Sequence, residues 1–297
     1  MFKKLVAVLC VFLPSSPTRF LYRLCGYRIG RNVRIPIMTY VHADEISLGN
    51  DISIRRLVYI NVHKLSMGAN AIISYGTQIK GKASFSCKDN SFFGIHCIIH
   101  CAEDVSLGFY SGLGPRCTVY THGSFLPVTM GYPAKFAPVV IDDFVWIAMA
   151  VTIMPGAHIE RNCIINPGVV VQGHVRPNSI IQQDPDQYTT HDLVRLQRIS
   201  KKSVTYYHDK IISSFLDARS IPFQHEKDSG RYTLPDDRAF CSLPDTNTIE
   251  LVMKGNKKIS YDLEHFYTDF SRDPLHRDFL DFIRLHFGIT LRTQYRQ

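Results

Sequence analysis

Six aliphatic residues, Ile141, Ile147, Ile153, Ile159, Ile165 and Val171, stand six positions apart in one unbroken frame. Four residues after each of the first five comes a small apolar residue: Val145, Val151, Ala157, Cys163 and Val169. An amphipathic helix repeats near 3.6 residues and a half-buried strand every 2, so a strict six fits neither. It fits a β-solenoid whose short straight sides each send one large and one small side chain inward.

The frame also runs earlier, with slips: Ile29, Ile35, Val41; Leu48, Ile54, Ile60; Met67, Ile73, Ile79; and Leu107, Leu113, Val119. Three sides of six plus one or two extra turn residues per coil explain the slips. The coil between, read as Cys87, Phe93 and Ile99, is less regular. Each coil stacks only on its neighbours, so the core is a narrow column whose ends need caps. The segment before Ile29 and whatever follows Pro177 supply them.

Between Val119 and Ile141 the frame skips 22 residues, which is not a multiple of six, so a loop, 120–140, leaves the solenoid with His122 at its root. After Pro177 the period of six is lost. Leu193, Leu196, Val204, Tyr207, Ile211 and Phe215 then fall on a helical spacing. Thr248–Met253 and Lys257–Tyr261, joined by Lys254-Gly255-Asn256, read as a hairpin. Pro274–Phe287, with Leu275, Phe279, Phe282 and Ile283, reads as an amphipathic helix ended by Gly288. His276-Arg277-Asp278 invites comparison with a kinase catalytic loop, but Ile283 stands where that signature needs Asn.

At the N-terminus, Lys3 and Lys4 precede an apolar run, Leu5–Leu13, that is too short to span a bilayer as a helix. No A-x-A-like cleavage site follows, and Leu9 before Cys10 makes a poor lipobox. The segment reads either as a surface-lying helix with Lys3, Lys4, Arg19, Arg23 and Arg28 among apolar residues, or as simple packing over the end of the solenoid.

The stretch Val139–Ile180, VVIDDFVWIAMAVTIMPGAHIERNCIINPGVVVQGHVRPNSI, preceded by YTHGSF at Tyr120–Phe125, resembles the hexapeptide-repeat acyltransferases. It is most similar to their sugar and polysaccharide O-acetyltransferases, in which an I-G-D-N-V-W-I-G-x-x-V-x-I-x-P-G run follows a loop bearing the catalytic histidine. The likeness spans about Ile29 to Ile181 and is specific for fold and acyl transfer, not for the acceptor. It implies a mainly β fold, the left-handed parallel β-helix, with acetyl-CoA as co-substrate, no metal and a homotrimeric assembly.

By the same resemblance, His122 is the general base that takes the proton from an acceptor hydroxyl as it attacks the acetyl thioester. Glu103 and Asp104, one coil earlier, are candidate partners of the imidazole, or solvated coil-edge carboxylates. His96 falls where relatives carry an acceptor-touching asparagine, or is an ordinary turn residue. Trp146 and Ala148 mark the CoA channel, or Trp146 simply packs on the outer face, and Lys135 and Arg161 are candidates for the CoA phosphates, or surface charges. Asp142 and Ala148 replace usual glycines, Ala150 a position often polar, and Gln182-Gln183-Asp184-Pro185-Asp186 replaces the Gly-Asn-Pro-Ala-Lys ending whose lysine helps bind CoA.

With 297 residues and 45% hydrophobic content, the chain can form a full core and a second module beside it. Its eight cysteines, Cys10, Cys25, Cys87, Cys97, Cys101, Cys117, Cys163 and Cys241, form no CxxC pair and suit a reducing cytosol. Thirteen histidines include no HExxH or paired His–Cys spacing, so no structural zinc is expected. The net charge of +8 is spread along the chain and not gathered into a nucleic-acid stripe. Anionic partners remain open: CoA phosphates, a nucleotide sugar, an acidic polysaccharide or anionic lipid.

The expectation is a capping segment 1–28, a left-handed β-helix acyltransferase domain 29–181 and a C-terminal α/β, mostly helical extension 182–297. The expected activity is acetyl transfer to a sugar hydroxyl of a cell-surface polysaccharide or its precursor, in the cytoplasm or peripherally at the inner face of the membrane. N-acetylation of an amino sugar and a non-catalytic solenoid scaffold are the alternatives.

Overall fold

The computed structural model describes residues 2–123, 135–183, 188–192, 201–226, 228–287 and 289–294. Contacts divide the chain into two units, Met1–Gln197 and Arg198–Gln297.

In the first unit the period of six becomes three parallel stacks. One side aligns Ile29, Leu48, Met67, Cys87, Leu107, Ile141, Ile159 and Val175, each in register with the next. The second aligns Ile54, Ile73, Phe93, Leu113, Ile147, Ile165 and Ile181. The third aligns Val41, Ile60, Ile79, Ile99, Val119, Ile153 and Val171. All of these but Ile181 are buried. Cys87, Phe93 and Ile99, the coil hardest to see in sequence, fall in the same columns. This is the parallel β-solenoid that the repeat specifies, the expected left-handed β-helix class.

Small residues serve the interior beside the aliphatic columns. The Thr39 hydroxyl donates to the Arg55 carbonyl (3.0 Å) and the Thr77 hydroxyl to that of Gly94 (2.7 Å). The Cys97 and Cys117 thiols do the same for Gly114 (3.1 Å) and Ala148 (2.8 Å), so successive coils are tied by short donors. Burial raises both thiol pKa values, that of Cys117 to about 12, which suits small core residues and not nucleophiles.

Corners turn through residues at positive φ. At the corner after the first side these are Asn32, Asp51, Asn70, Asn90, Tyr110, Phe144, Asn162 and Asn178. Asn and Asp tolerate the left-handed region best among non-glycine residues, which accounts for six of the eight. Tyr110 and Phe144 occupy adjacent coils, and their rings stack with centroids 6.1 Å apart.

The column's first end is closed by helices α1 (Phe2–Cys10) and α2 (Ser15–Leu24). Val6, Ala7 and Cys10 are buried, and Tyr22 and Tyr27 donate to the carbonyls of Val41 (2.6 Å) and Ala43 (2.7 Å). Arg19 donates to the Val33 carbonyl, and Arg23 to those of Ile29 and Gly30. Side chains thus satisfy the open strand edge that the first coil would otherwise expose.

The second unit has a seven-stranded sheet running in sequence order from Gln224–Glu226 to Arg292–Gln294. Neighbours are antiparallel until the last pair, where Tyr267–Asp269 and Arg292–Gln294 are parallel and linked through the helix Pro274–Phe287. Helix Lys201–Ala218 contributes Ile211, Ile212, Phe215 and Leu216 to a core with Phe240, Leu251, Tyr261 and Phe279. The hairpin read from sequence is present as Thr248–Val252 paired with Lys258–Asp262. Five further strands join it, so sheet and helix share this unit. The Asp273 carboxylate caps the second helix by accepting from the Leu275 N–H at 2.8 Å. Leu193, Leu196 and Gly288, also read as helical positions or ends, lie outside the described residues.

Candidate active site

The side-three strand ending at Tyr120 leads directly into the loop root. Thr121 is fully buried: its hydroxyl donates to the His100 carbonyl (2.7 Å) and accepts from the Glu103 N–H (3.0 Å). The Thr121 carbonyl accepts from the Ala137 N–H (3.0 Å), where the chain returns. His122 and Gly123 pair antiparallel with Phe136 and Lys135. His122 is therefore held by backbone on both sides, although 124–134 lie outside the described residues.

The His122 ring is half-buried, with its centroid 4.5 Å from that of His100 and 5.9 Å from that of Phe136. Nδ1 of both imidazoles is buried without a hydrogen-bond partner among the described residues. A buried polar atom left unpaired costs about 1–3 kcal/mol, a cost that purely structural histidines normally avoid. Burial, then the neighbouring His122 and Lys80, lower the His100 pKa, because a second positive charge is unwelcome there. His100 comes from one coil earlier, in register with Tyr120 and Lys80.

The two carboxylates considered as partners of His122 make no hydrogen bond to it among the described residues. Asp104 accepts from the Ser84 N–H at 2.8 Å and so serves a coil turn. Glu103 is joined to the site through its backbone N–H on Thr121. His96 is exposed, adopts φ 55° in the turn before the strand Ile98–Cys101 that carries His100, and packs against Tyr75 with centroids 5.5 Å apart. Its ring lies so close over Gly76 that a Cβ there would meet Nδ1 at 2.4 Å.

Trp146 lies on side two, half-exposed, aligned with Gly112 and Phe92. A Cβ at Gly112 would sit 3.2 Å from the indole, so the glycine makes room for the ring, whose centroid is 6.3 Å from that of Phe92. Ala148 is bonded on both sides, donating to Ile165 and accepting from Cys117. Lys135 places its ammonium over Gly156, within 3.2 Å of where a Cβ would be. Arg161 is exposed beside a shallow groove with Lys88, Asp142 and Asp143, where Lys88 and Asp143 are ion-paired at 2.9 Å. Asp142, in place of the expected glycine, contacts His158 Nε2 at 3.3 Å. Gln182 and Gln183 continue a side-two strand, while 184–187 lie outside the described residues.

Sequence reasoning missed His100, Thr121 and Phe136. The first was open to detection: stacking coils at a step of 20 sets His100 beside Tyr120, two positions from His122. Among the described residues no group of three or more His, Cys, Asp or Glu is placed to hold a metal ion, and no helix is long and apolar enough to cross a membrane.

A three-sided parallel solenoid with His122 where the chain leaves one corner is the architecture on which the period of six is built. Residues 138–173 match the family described as bacterial transferase hexapeptide (six repeats), overlapping the stretch that carries the sequence resemblance. Among solved structures, the chain is similar to an N-acyltransferase from Bacillus cereus in complex with dTDP and 3-hydroxybutyryl-CoA, at 15% identity and TM-score 0.42 over 70% of this chain and 100% of that one. It is also similar to a hexapeptide-repeat acetyltransferase from Vibrio cholerae complexed with acetyl coenzyme A, at 16% identity and TM-score 0.35 over 65% and 87%. A maltose O-acetyltransferase from Clostridium difficile matches at 16% identity and TM-score 0.32 over 64% and 83%.

Proposed function

We propose that the protein is an acetyl-CoA-dependent acetyltransferase acting on a sugar hydroxyl of a cell-surface polysaccharide or its precursor, with His122 as general base. The observation that carries the reading is His122 itself: an imidazole pinned at the root of the corner loop, with Nδ1 buried and unpartnered. With Nδ1 enclosed, Nε2 is the nitrogen left to meet an acceptor. The family match over 138–173 supports the acyl-transfer class.

In this reading the acceptor oxygen attacks the thioester carbonyl carbon while Nε2 takes its proton. The tetrahedral intermediate then collapses, the C–S bond breaks, and the proton passes to the leaving CoA sulfur. A neutral His100, whose pKa is lowered, leaves His122 free of a second positive charge as it becomes imidazolium. Trp146 and Ala148 are the residues proposed beside the pantetheine arm, with Lys135 and Arg161 for the phosphates. His96, Glu103 and Asp104 remain proposed acceptor-side residues, the last two through the backbone they order.

We further propose a homotrimer in the cytoplasm or at the inner face of the membrane, since a corner loop has no facing wall within one solenoid. Incubation with radiolabelled acetyl-CoA and a panel of sugars and amino sugars tests the activity. Label in a hydroxyl ester is expected; label only in an amide moves the reading to N-acetylation, and none in any acceptor overturns it.

A further inference from the structure

Helix α1 is apolar on two faces. Val6, Ala7 and Cys10 are buried, while Phe2, Leu5, Leu9 and Phe12 point outward, each between 52% and 76% exposed. Positions 2, 5 and 9 recur at helical spacing on α1, and Phe12, in the turn that follows the helix, extends the same exposed apolar surface, so this is a second apolar face and not scattered exposure. The larger side chains are the exposed ones, the reverse of what packing over the solenoid end alone would select. In α2, Phe20 and Leu24 are also exposed, at 62% and 67%.

Charge distinguishes what could cover this face. The first 43 residues carry Lys3, Lys4, Arg19, Arg23, Arg28, Arg31 and Arg34 and no Asp or Glu, against a net charge of +8 for the whole chain. Some of these cations serve the fold: Lys3 donates to the Asp44 carbonyl, and Arg19 and Arg23 to carbonyls of the first coil. Lys4, on α1, and Arg28, four residues past α2, are exposed, and Arg28 is also near enough to Glu45 to help lower that carboxyl's pKa. An apolar stripe in an all-cationic segment is matched by a surface that is apolar just below an anionic layer. A protein interface of the usual kind would offer carboxylates in return, whereas a second copy of this segment would present the same positive charge and repel it.

We propose that the helical cap at the first end of the solenoid is a docking surface for an anionic lipid bilayer, with Phe2, Leu5, Leu9 and Phe12 entering the acyl boundary and Lys4 and Arg28 meeting the headgroups. Two modest contributions, apolar insertion and charge, together give the reversible surface binding that either alone does not. The inference stands independently of acetyl transfer, since lipid binding is read without substrate.

The test is flotation of the full chain with vesicles of phosphatidylcholine alone or of phosphatidylcholine mixed with phosphatidylglycerol, which gives the surface the negative potential that attracts a basic segment. Expected is binding to the anionic vesicles, weakened by salt, that falls by at least about tenfold in Leu5→Gln/Leu9→Gln/Phe12→Gln. Lys4→Glu/Arg28→Glu should weaken it by about tenfold as well. All substituted side chains are exposed, so unchanged thermal unfolding serves as the folding control. Failure of the wild type to float with anionic vesicles, or equal flotation of wild type and the triple variant, overturns the proposal. So does light scattering in which the triple substitution dissolves a larger assembly while lipid binding is absent, which would make the face a contact between copies.

Discussion

Replacing His122 with Ala separates catalysis from stability in a way the structure makes quantitative. The ring contacts His100, Phe136 and Tyr120 with centroids 4.5, 5.9 and 6.2 Å away. Aromatic pairs contribute about 0.5–1.5 kcal/mol each when buried, and less for a half-exposed ring. The same truncation removes the buried, unpartnered Nδ1, relieving about 1–3 kcal/mol. The two terms offset, so unfolding should change by no more than about 1 kcal/mol. Loss of a positioned base, by contrast, lowers turnover by about 10²- to 10⁴-fold, or about 2.7–5.4 kcal/mol in the barrier. The assay is kcat/KM from release of the CoA thiol, beside a urea titration of the same preparation. The ascending acid limb of the wild-type pH–rate profile should vanish in the variant. A variant keeping more than about a tenth of the activity, less loss than any positioned base should cause, would refute the base assignment. A fall in activity matched by a comparable fall in stability would make His122 structural.

Thr121→Val keeps the shape but strands the His100 carbonyl and the Glu103 N–H; urea unfolding should show a loss of about 1–3 kcal/mol per stranded group, with reduced turnover because the His122 root loosens. Gly81→Ala would place a Cβ 1.9 Å from the Cys101 carbonyl oxygen, so the solenoid should lose about 1–3 kcal/mol or more; unchanged unfolding would show that the coils yield more readily than packed rungs should. In the second unit, burial lowers the pKa values of His208 and His276 below 6.5. The unfolded chain therefore takes up those protons first, so stability is full above about pH 6.5 and falls on acidification below it; denaturant midpoints between pH 7.5 and 5.5 should drop in the wild type and drop less in His276→Gln. Light scattering at micromolar concentration should give three times the 33.9 kDa chain mass, and a monomer mass removes the trimer.

Most of the solenoid was visible in sequence because its columns depend on one repeated choice, an aliphatic residue every sixth position. Ile141 to Val171 kept that choice without slips, and Ile29 to Ile79 kept it with turn insertions that the coil step absorbs. The coil Cys87, Phe93, Ile99 blurred it because a thiol and a ring take up the column as well as an aliphatic chain does. Corner chemistry was legible but unread: Asn at 32, 70, 90, 162 and 178 marks the left-handed position coil after coil. The second unit resisted for a different reason. Its strands are three to five residues long, and the edge strand Gln224–Glu226 has no buried residue, so alternation has little length in which to declare itself.

The candidate site shows a further limit. His122 was found because the frame breaks beside it, but its neighbour His100 lies 22 positions earlier, a contact set by coil stacking and not by any local motif. Ile99 pairs with Val119, 20 positions on, whereas Val119 pairs with Ile153, 34 positions on, because the corner loop intervenes without disturbing the register. A solenoid can extrude a loop in this way only at a corner, where no rung hydrogen bond is interrupted. The residue at the root then inherits the rigidity of the rungs on both sides, here through Thr121 and the pairing of His122 with Phe136. That placement gives a proposed base what it needs, a fixed position at the edge of a rigid scaffold.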